Sequence, residues 1–472
     1  MRTYAGKRRG SGQTVLLPAL MTLPIQILTL TRALRPAMAR ILTGIMALVL
    51  AVTPADSALA QDTESGSPAV LSVARPEQLQ TLESYFRIAV ENNPELSSLR
   101  LGVESRRQRI LGERTLTDPE IGAGFYINPD SETNFTGRFS VRVMQMFPWF
   151  GTLDTRGRIE ESASDAMARS LSARQLEIFT EIQNSWFDYY RVDHHIRVYT
   201  EIVAIVRDLE SLIETRYETG RAGQADLLRI QMEKQRLLYR IEELEDEKNP
   251  VREELNALLN RAPGVEIDVP SELPERMLAR TREELLRLVR ARHPDFGRIE
   301  AQRGLYRRQM DLARLESRPS FGIGLEYMGR DYAMMSMMEL DPVLVGMATV
   351  RIPLYRSRYR AQRREARLQL QAAGDLETDL TNRLRRDLER SMKSLRDAQR
   401  DFRLVTEELL PRSKQAMEIL SQEYAVGQVG FDEVLQVVRE LLMLEMERVN
   451  ALVAQNNAMA AIEQLIASEI AE

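Results

Sequence analysis

The sequence predicts a mainly helical fold with a small β part, built twice in tandem, whose four strands must join those of other copies to close a barrel. Three observations carry this. The stretch Tyr217-Glu-Thr-Gly220-Arg-Ala-Gly223-Gln-Ala-Asp226-Leu-Leu228 returns 207 residues later as Tyr424-Ala-Val-Gly427-Gln-Val-Gly430-Phe-Asp-Glu433-Val-Leu435, with the Tyr, both glycines and the closing Leu in register. Each turn lies beside a run of 65 to 69 residues with apolar side chains at helical spacing. Short segments near residues 120 to 145 and 320 to 350 switch instead to the alternating period of strands.

Residues 1 to 60 differ from the rest: seven basic and one acidic side chain, an apolar run Ile41 to Val52, then Ala58-Leu-Ala60 before Gln61. That order predicts a signal peptide over 1 to 60, cleaved after Ala60, with Met38 or Met21 as alternative starts. An uncleaved anchor is the competing reading, disfavoured because 12 apolar residues fall short of the ~20 that span a bilayer. The remaining chain has 57 basic against 68 acidic side chains, a net charge of about −11, which argues against nucleic acid as a partner. Without cysteine it can form no disulfide and carry no lipid on a terminal Cys. No later stretch is apolar enough for a spanning helix, so any membrane residence must come from β-strands.

Residues 61 to 78 form an N-terminal extension, and the first repeat covers 79 to 262. A helix is expected over 79 to 117, stopped by Asp118-Pro119 because a residue before Pro leaves the α region. Strands at 119–128 and 135–147 follow, joined by Asn128-Pro-Asp130-Ser. Ile121, Ala123, Phe125 and Ile127 alternate with polar or small residues, as do Phe135, Phe139, Val141 and Val143. One apolar face over about ten residues is the pattern of a barrel strand with aliphatics toward lipid and arginines inside. The long helix from Asp154 to Glu218 shows Ile178, Ile182, Trp186 and Tyr189 on one face. At ~1.5 Å per residue it is about 100 Å long. Gly lets the chain leave one helix with φ > 0, and Asp226, Asp432 and Glu433 suit the first turn of the next.

Residues 263 to 280, with Pro270 and Pro274, read as the linker. The second repeat, 281 to 472, repeats the order. His293-Pro294-Asp295-Phe296 answers Asn93-Pro94-Glu95-Leu96, and Pro319-Ser-Phe321-Gly322-Ile-Gly324 answers Pro119-Glu-Ile121-Gly122-Ala-Gly124. Strands are expected at 319–328 and 343–353, the latter with ambiguous facing. The long helix from Arg356 to Tyr424, interrupted only by Pro411, places Leu376, Leu380, Leu384, Leu388, Met392 and Leu395 on one face. Four strands cannot close a barrel, whereas three chains supply twelve.

On these residues, and on the strand ends Phe147-Pro148-Trp149-Phe150 and Ile352-Pro353-Leu354-Tyr355, residues 79 to 469 resemble the TolC-like outer-membrane efflux proteins. The resemblance implies a homotrimer with a 12-stranded barrel in outer-membrane lipid, continuing into a long periplasmic α-helical barrel. It implies an outer-membrane channel of a Gram-negative bacterium that passes substrates from a periplasmic adaptor and an inner-membrane pump, of the resistance-nodulation-division type, to the exterior. Gly220, Arg221, Gly223, Gly427, Gln428 and Gly430 would be the adaptor-contact tips. Glu433, with Asp432, Asp226 and Gln436, would line the periplasmic gate, Gln436 standing where a second acidic residue is expected. Arg229 or Arg439 are the cations placed to hold those carboxylates. Phe147, Trp149, Phe150 and Tyr355 would form an aromatic belt. The motifs Met144-Gln-Met146-Phe147-Pro148-Trp149-Phe150-Gly151 and Tyr359-Arg-Ala-Gln-Arg-Arg-Glu365-Ala366 are similar to the copper and silver branch. The thioethers Met334, Met335, Met337 and Met338 in the second strand loop suit Cu(I) or Ag(I), or serve as adaptable packing. A polypeptide-secretion conduit and a non-conducting periplasmic rod remain the alternatives.

No enzyme and no cofactor is expected. His194 and His195, adjacent on a helix, are a poor chelate and read as a solvated or interfacial pair, and neither Gly220-x-x-Gly223 nor Gly122-x-Gly124 has the residues of a phosphate loop.

Overall fold

A computed structural model describes residues 80–128, 136–329, 332–333 and 343–467. The expected signal peptide, the N-terminal extension and Met334, Met335, Met337 and Met338 lie outside the described residues. The first repeat runs α1 (Gln80–Asn92), α2 (Pro94–Arg114), β1 (Glu120–Asn128), β2 (Thr136–Phe147), α3 (Thr152–Glu218) and α4 (Gln224–Leu258). The second runs α5 (Arg282–Arg292), α6 (Pro294–Leu315), β3 (Ser320–Met328), β4 (Tyr332–Ala333), β5 (Val343–Arg351) and α7 (Arg356–Arg403), then a π-helical turn (Leu404–Leu409), α8 (Leu410–Val426) and α9 (Phe431–Ile466).

The single helix expected over 79 to 117 is two helices, and the reason is local. Asn93 leaves helical geometry, and its side-chain oxygen accepts from the backbone N–H groups of Glu95 and Leu96 at 2.9 and 3.1 Å. Pro94 then occupies the first helical position, where a missing N–H costs nothing. The second repeat does the same: His293 Nδ1 accepts from the Asp295 N–H at 3.3 Å, and Pro294 opens α6. A capping box between Thr281 and Glu284 starts α5.

The helix expected through Tyr424 is also modified. Pro411 has no N–H and its ring crowds the carbonyl four residues back. The chain widens by one residue just before it: the Leu410 N–H reaches back five residues to the Val405 carbonyl. The helix thus passes Pro411 through a π turn rather than breaking.

The main strands form one antiparallel sheet in the order β1-β2-β3-β5, with β4 paired to the end of β2. Register settles which way β5 faces. Phe321 pairs with Val350, Ile323 with Ala348, Leu325 with Gly346 and Tyr327 with Leu344. Across the other seam Val143 pairs with Ile121 and Leu325, and Val141 with Ala123 and Tyr327. Ile121, Phe125, Val143, Ile323, Leu325, Leu344 and Val350 therefore share one apolar face, and all are exposed in the single chain. The opposite face carries Arg142, Glu326, Met144, Met146, Met347 and the glycines 122, 322 and 324.

Among the described residues the helical part holds three apolar clusters. Ile178, Ile182, Trp186 and Tyr189 join Tyr85, Leu255 and Leu452 in one. Toward the turns, Ile202, Val206 and Ile213 pack with Ile230, Val434 and Val438. Leu380, Leu384, Leu388 and Leu395 pack with Leu285 and Ile462, whereas Leu376 on the same predicted stripe is exposed. Each such leucine gains about 1.5–3 kcal/mol on burial.

Of the two readings of the histidine pair, solvated or interfacial, the second holds: both rings are buried where helices and linker meet. His194 places Nδ1 3.0 Å from the Tyr190 carbonyl and Nε2 2.8 Å from that of Ser271, while His195 Nε2 sits 3.0 Å from Asn450 Oδ1. They fasten α3 to the linker and to α9. Burial pushes both imidazoles below their usual range, His195 to about 4, where Arg191 adds to the effect.

Candidate functional site: the paired tip turns and the sheet

The two glycine turns are built alike. At the end of α3, Gly220 has φ 70, and the Arg221 N–H closes on the Arg216 carbonyl at 2.7 Å. At the end of α8, Gly427 has φ 85, and the Gln428 N–H closes on the Glu423 carbonyl at 2.9 Å. Each bond spans five residues, the Schellman ending that a left-handed glycine permits. Gly223 and Gly430 are different: both are extended, with φ −83 and −80, and each precedes the first residue of the next helix. Only the first glycine of each pair needs positive φ. Gly220, Arg221, Gly223, Gly427, Gln428 and Gly430 are all exposed.

Matching tyrosines receive different surroundings. Tyr424 is 3% exposed and packs against Phe431, with ring centroids 6.0 Å apart, whereas Tyr217 is 43% exposed. Two residues make the difference: Phe431, where the first repeat has Gln224, and Arg216, whose guanidinium lies 4.5 Å from the Tyr424 centroid and donates to the Arg221 carbonyl at 3.2 Å. Burial raises the Tyr424 phenol above its usual pKa, opposed by Arg216 and reinforced by Asp226. Arg216 thus locks the first tip onto the second. The sequence gives one signal for it: the equivalent position before Tyr424 is Glu423, so the repeats diverge in charge at this point.

The acidic residues after the turns also separate. Asp226 and Glu433 occupy the third position of α4 and α9, and Asp432 the second. Arg229 Nη1 pairs with Asp432 at 2.7 Å, across the two repeats. Arg439 pairs instead with Glu233, at 3.1 and 2.5 Å, a carboxylate only 7% exposed that sequence reasoning did not single out. Glu433 and Gln436 are exposed, and Glu433 has no ion pair among the described residues. Of the two cations expected near the gate, then, one holds Asp432 and the other a buried partner.

At the other end, Trp149 lies 5.9 Å from both Phe150 and Phe321, with the Arg318 guanidinium over its ring. Phe150 and Tyr355 stand almost fully exposed beside the strand ends. Among the described residues no group of three or more His, Cys, Asp or Glu side chains is placed to hold a metal ion. None of the described helices is long and apolar enough to cross a membrane.

No family model matches the chain, and no curated protein sequence does. Solved structures do. The outer-membrane channel OprN superposes with a TM-score of 0.70 at 16% identity, over 84% of this chain and 94% of that one. CusC, described for its folding and transmembrane channel formation, gives 0.70 at 14%, over 84% and 96%. The MtrE outer membrane channel of Neisseria gonorrhoeae, in its open state, gives 0.66 at 16%, over 83% and 90%. The chain has the TolC-like channel fold. At these identities the likeness is one of architecture, over more than four fifths of this chain.

Proposed function

We propose that this chain is one subunit of a homotrimeric outer-membrane channel in a tripartite efflux system. One observation carries the reading: among the described residues, every layer of the chain ends in two unlike, unpaired edges. The sheet begins at β1 and ends at β5. The helices nearest it run α2, α3, α6, α7 by their packing, and those nearest the tips run α4, α3, α9, α8. Each row starts with an element of the first repeat and ends with one of the second. Exposed apolar side chains mark both edges: Leu101, Leu228 and Met232 on one, Leu368, Ile419 and Val426 on the other. Unlike edges join head to tail, and a ring results when the rotation closes. Closure pairs β1 of one copy with β5 of the next, which removes the open sheet edges that lipid cannot satisfy.

In this reading the apolar face of the sheet meets outer-membrane lipid, with Phe150 and Tyr355 at its rim. The helices cross the periplasm, and the glycine tips meet an adaptor coupled to an inner-membrane pump of the resistance-nodulation-division type. The chain conducts passively and performs no catalysis. Extraction should require detergent and yield a trimer dissociated by heat. Recovery of a soluble monomer, or a purified trimer without conductance in planar bilayers, would refute it. Leu228→Asp and Val426→Asp, on opposite edges, should each lower trimer yield.

For cargo, one observation favours soft monovalent cations such as Cu(I) and Ag(I). Met144, Met146 and Met347 lie on the sheet face opposite the apolar one, in rows with Gly324 and Gly322. The Met146 sulfur lies over Gly322, where a β-carbon would come within 2.6 Å of it. Thioethers facing a water-filled bore contact soft ions reversibly. Deleting the gene should raise silver or copper sensitivity more than sensitivity to organic drugs, and the reverse ranking overturns this assignment.

A further inference from the structure

Helix α7 opens, directly after β5, on a dense run of arginines. Arg356, Arg358, Arg360, Arg363, Arg364 and Arg367 stand against a single acidic residue, Glu365. Five of the six are exposed and Arg363 is half-buried, and none makes an ion pair among the described residues. By contrast, at the same end of the helices Arg114 pairs with Glu161 at 2.6 Å and Arg156 with Glu316 at 2.9 Å, while Arg318 lies over the Trp149 ring. All of the run except Arg358 recurs at steps of three and four, which puts those five on one flank of α7. Ala366 and Ala373, on another flank, are buried. Between the sheet and this stripe, Ile352 and Leu354 fall two and four residues beyond Val350, in step with the apolar face that Val350 and Leu344 share, and both are exposed.

We propose that the stripe binds the headgroups of anionic phospholipid at the periplasmic surface of the membrane that holds the sheet. The proposal rests on the channel reading, which sets the sheet in lipid and closes the ring. At ~1.5 Å per residue the stripe descends about 17 Å from the strand end. A headgroup layer occupies about 6 Å of that, and the field of a charged surface reaches roughly 8 Å further at physiological salt. The whole stripe thus lies within reach of an anionic leaflet. Guanidinium groups bind phosphate oxygens through paired N–H donors. The acyl chain of the same molecule covers Ile352 and Leu354, which a free anion would leave bare. Nor can the ring neutralise this charge itself. Closure brings α7 of one copy beside α2 of the next, and the last twelve residues of α2 carry four arginines against two glutamates. Positive charge on both sides of a seam repels, and an anionic headgroup between them removes the repulsion.

The test mixes the full-length chain in detergent with equal amounts of phosphatidylglycerol and phosphatidylcholine, and counts the lipid retained per chain by native mass spectrometry. Phosphatidylglycerol should be favoured about tenfold or more, since each arginine near an anionic surface contributes about fivefold. Arg356→Gln, Arg360→Gln and Arg364→Gln together, all at exposed positions, should bring the ratio close to parity, and Arg→Lys at the same three positions should keep most of the preference. Equal retention of the two lipids by the parent, an unchanged ratio in the glutamine variant, or complete displacement by excess inorganic phosphate would each overturn the proposal. A reversal potential in planar bilayers that moves toward cations in the glutamine variant, with lipid retention unaltered, would place the stripe in the bore and overturn it too. The heat-dissociable trimer is scored in the same samples. Its absence counts against the channel reading, whereas the lipid ratio, taken per chain, reports on the stripe.

Discussion

The guanidinium of Arg216, at the end of one long helix, lies 4.5 Å from the ring centroid of Tyr424, at the end of the other. It joins two turns that are 207 positions apart in the sequence and share a Tyr, two glycines and a Leu in register. Arg216→Ala should loosen the tips by about 1 kcal/mol, the scale of one cation–π contact. Hydrogen exchange at Arg221 and Gln428 should accelerate while exchange in the sheet stays constant. Unchanged exchange at both turns would show that the contact does not hold them together.

The four turn glycines should not behave alike. Gly427→Val places a branched side chain at φ 85, a strain of about 1–2 kcal/mol. Gly430→Ala has φ −80 and nothing within 4 Å of the new carbon. The first variant should therefore lose crosslinking to an adaptor and the second retain it. Equal loss in both would mean that a partner reads the bare glycine surface rather than the turn geometry.

Two neighbouring carboxylates predict separable electrical effects. Asp432 is paired with Arg229 and Glu433 is not. In single-channel recordings of the proposed trimer, Glu433→Gln should reduce cation selectivity and divalent block, since its charge has no ion-pair partner among the described residues and the trimer would repeat it in each subunit. Asp432→Asn should change selectivity less, because it also frees a positive charge. The pair is exposed and adds no more than about 1 kcal/mol to stability.

Stability should depend on the buried histidines. The folded pKa of His195 is lowered to about 4 from an unfolded value of 6.5, so the fold prefers the neutral ring. Stability is full above about pH 6.5 and falls as pH drops toward 4, because the unfolded chain takes up the proton first. The loss across that window is on the order of 3 kcal/mol per chain. Thermal melts at pH 7 and pH 5 should show a drop that His195→Gln diminishes. A drop of the same size in the variant would assign the effect to other groups.

The duplicated order, the strands and the tip turns were legible in the sequence because each rests on local chemistry: alternation, helical spacing, glycine where φ turns positive. What escaped was of two kinds. Asn93-Pro94 and His293-Pro294 were matched as repeat landmarks without being recognised as helix starts, although an Asn cap before Pro is a local signal. The rest needed partners distant in sequence. Between Arg229 and Arg439 as the cation for the gate carboxylates the sequence left the choice open; Arg229 takes Asp432, and Arg439 holds Glu233, 206 residues away. The facing of β5 followed from its register with β3. The histidine pair read as solvated or interfacial, and the choice between the two needed Ser271 of the linker and Asn450, contacts that leave no mark on the sequence around it.

The tandem duplication has a mechanical corollary. In a closed ring of such chains, seams of two kinds alternate. Across one kind the neighbouring halves share a polypeptide through residues 263 to 280, so they cannot be diluted apart, and Arg216 on Tyr424 and Arg229 on Asp432 stitch them at the tips. Across the other kind, contact depends on assembly alone. Widening the bore by equal strain on every seam would tear stitches that the sealed ones possess. The tips should therefore travel in pairs, two turns per chain moving as one leaf, and the ring should open along only half of its joints.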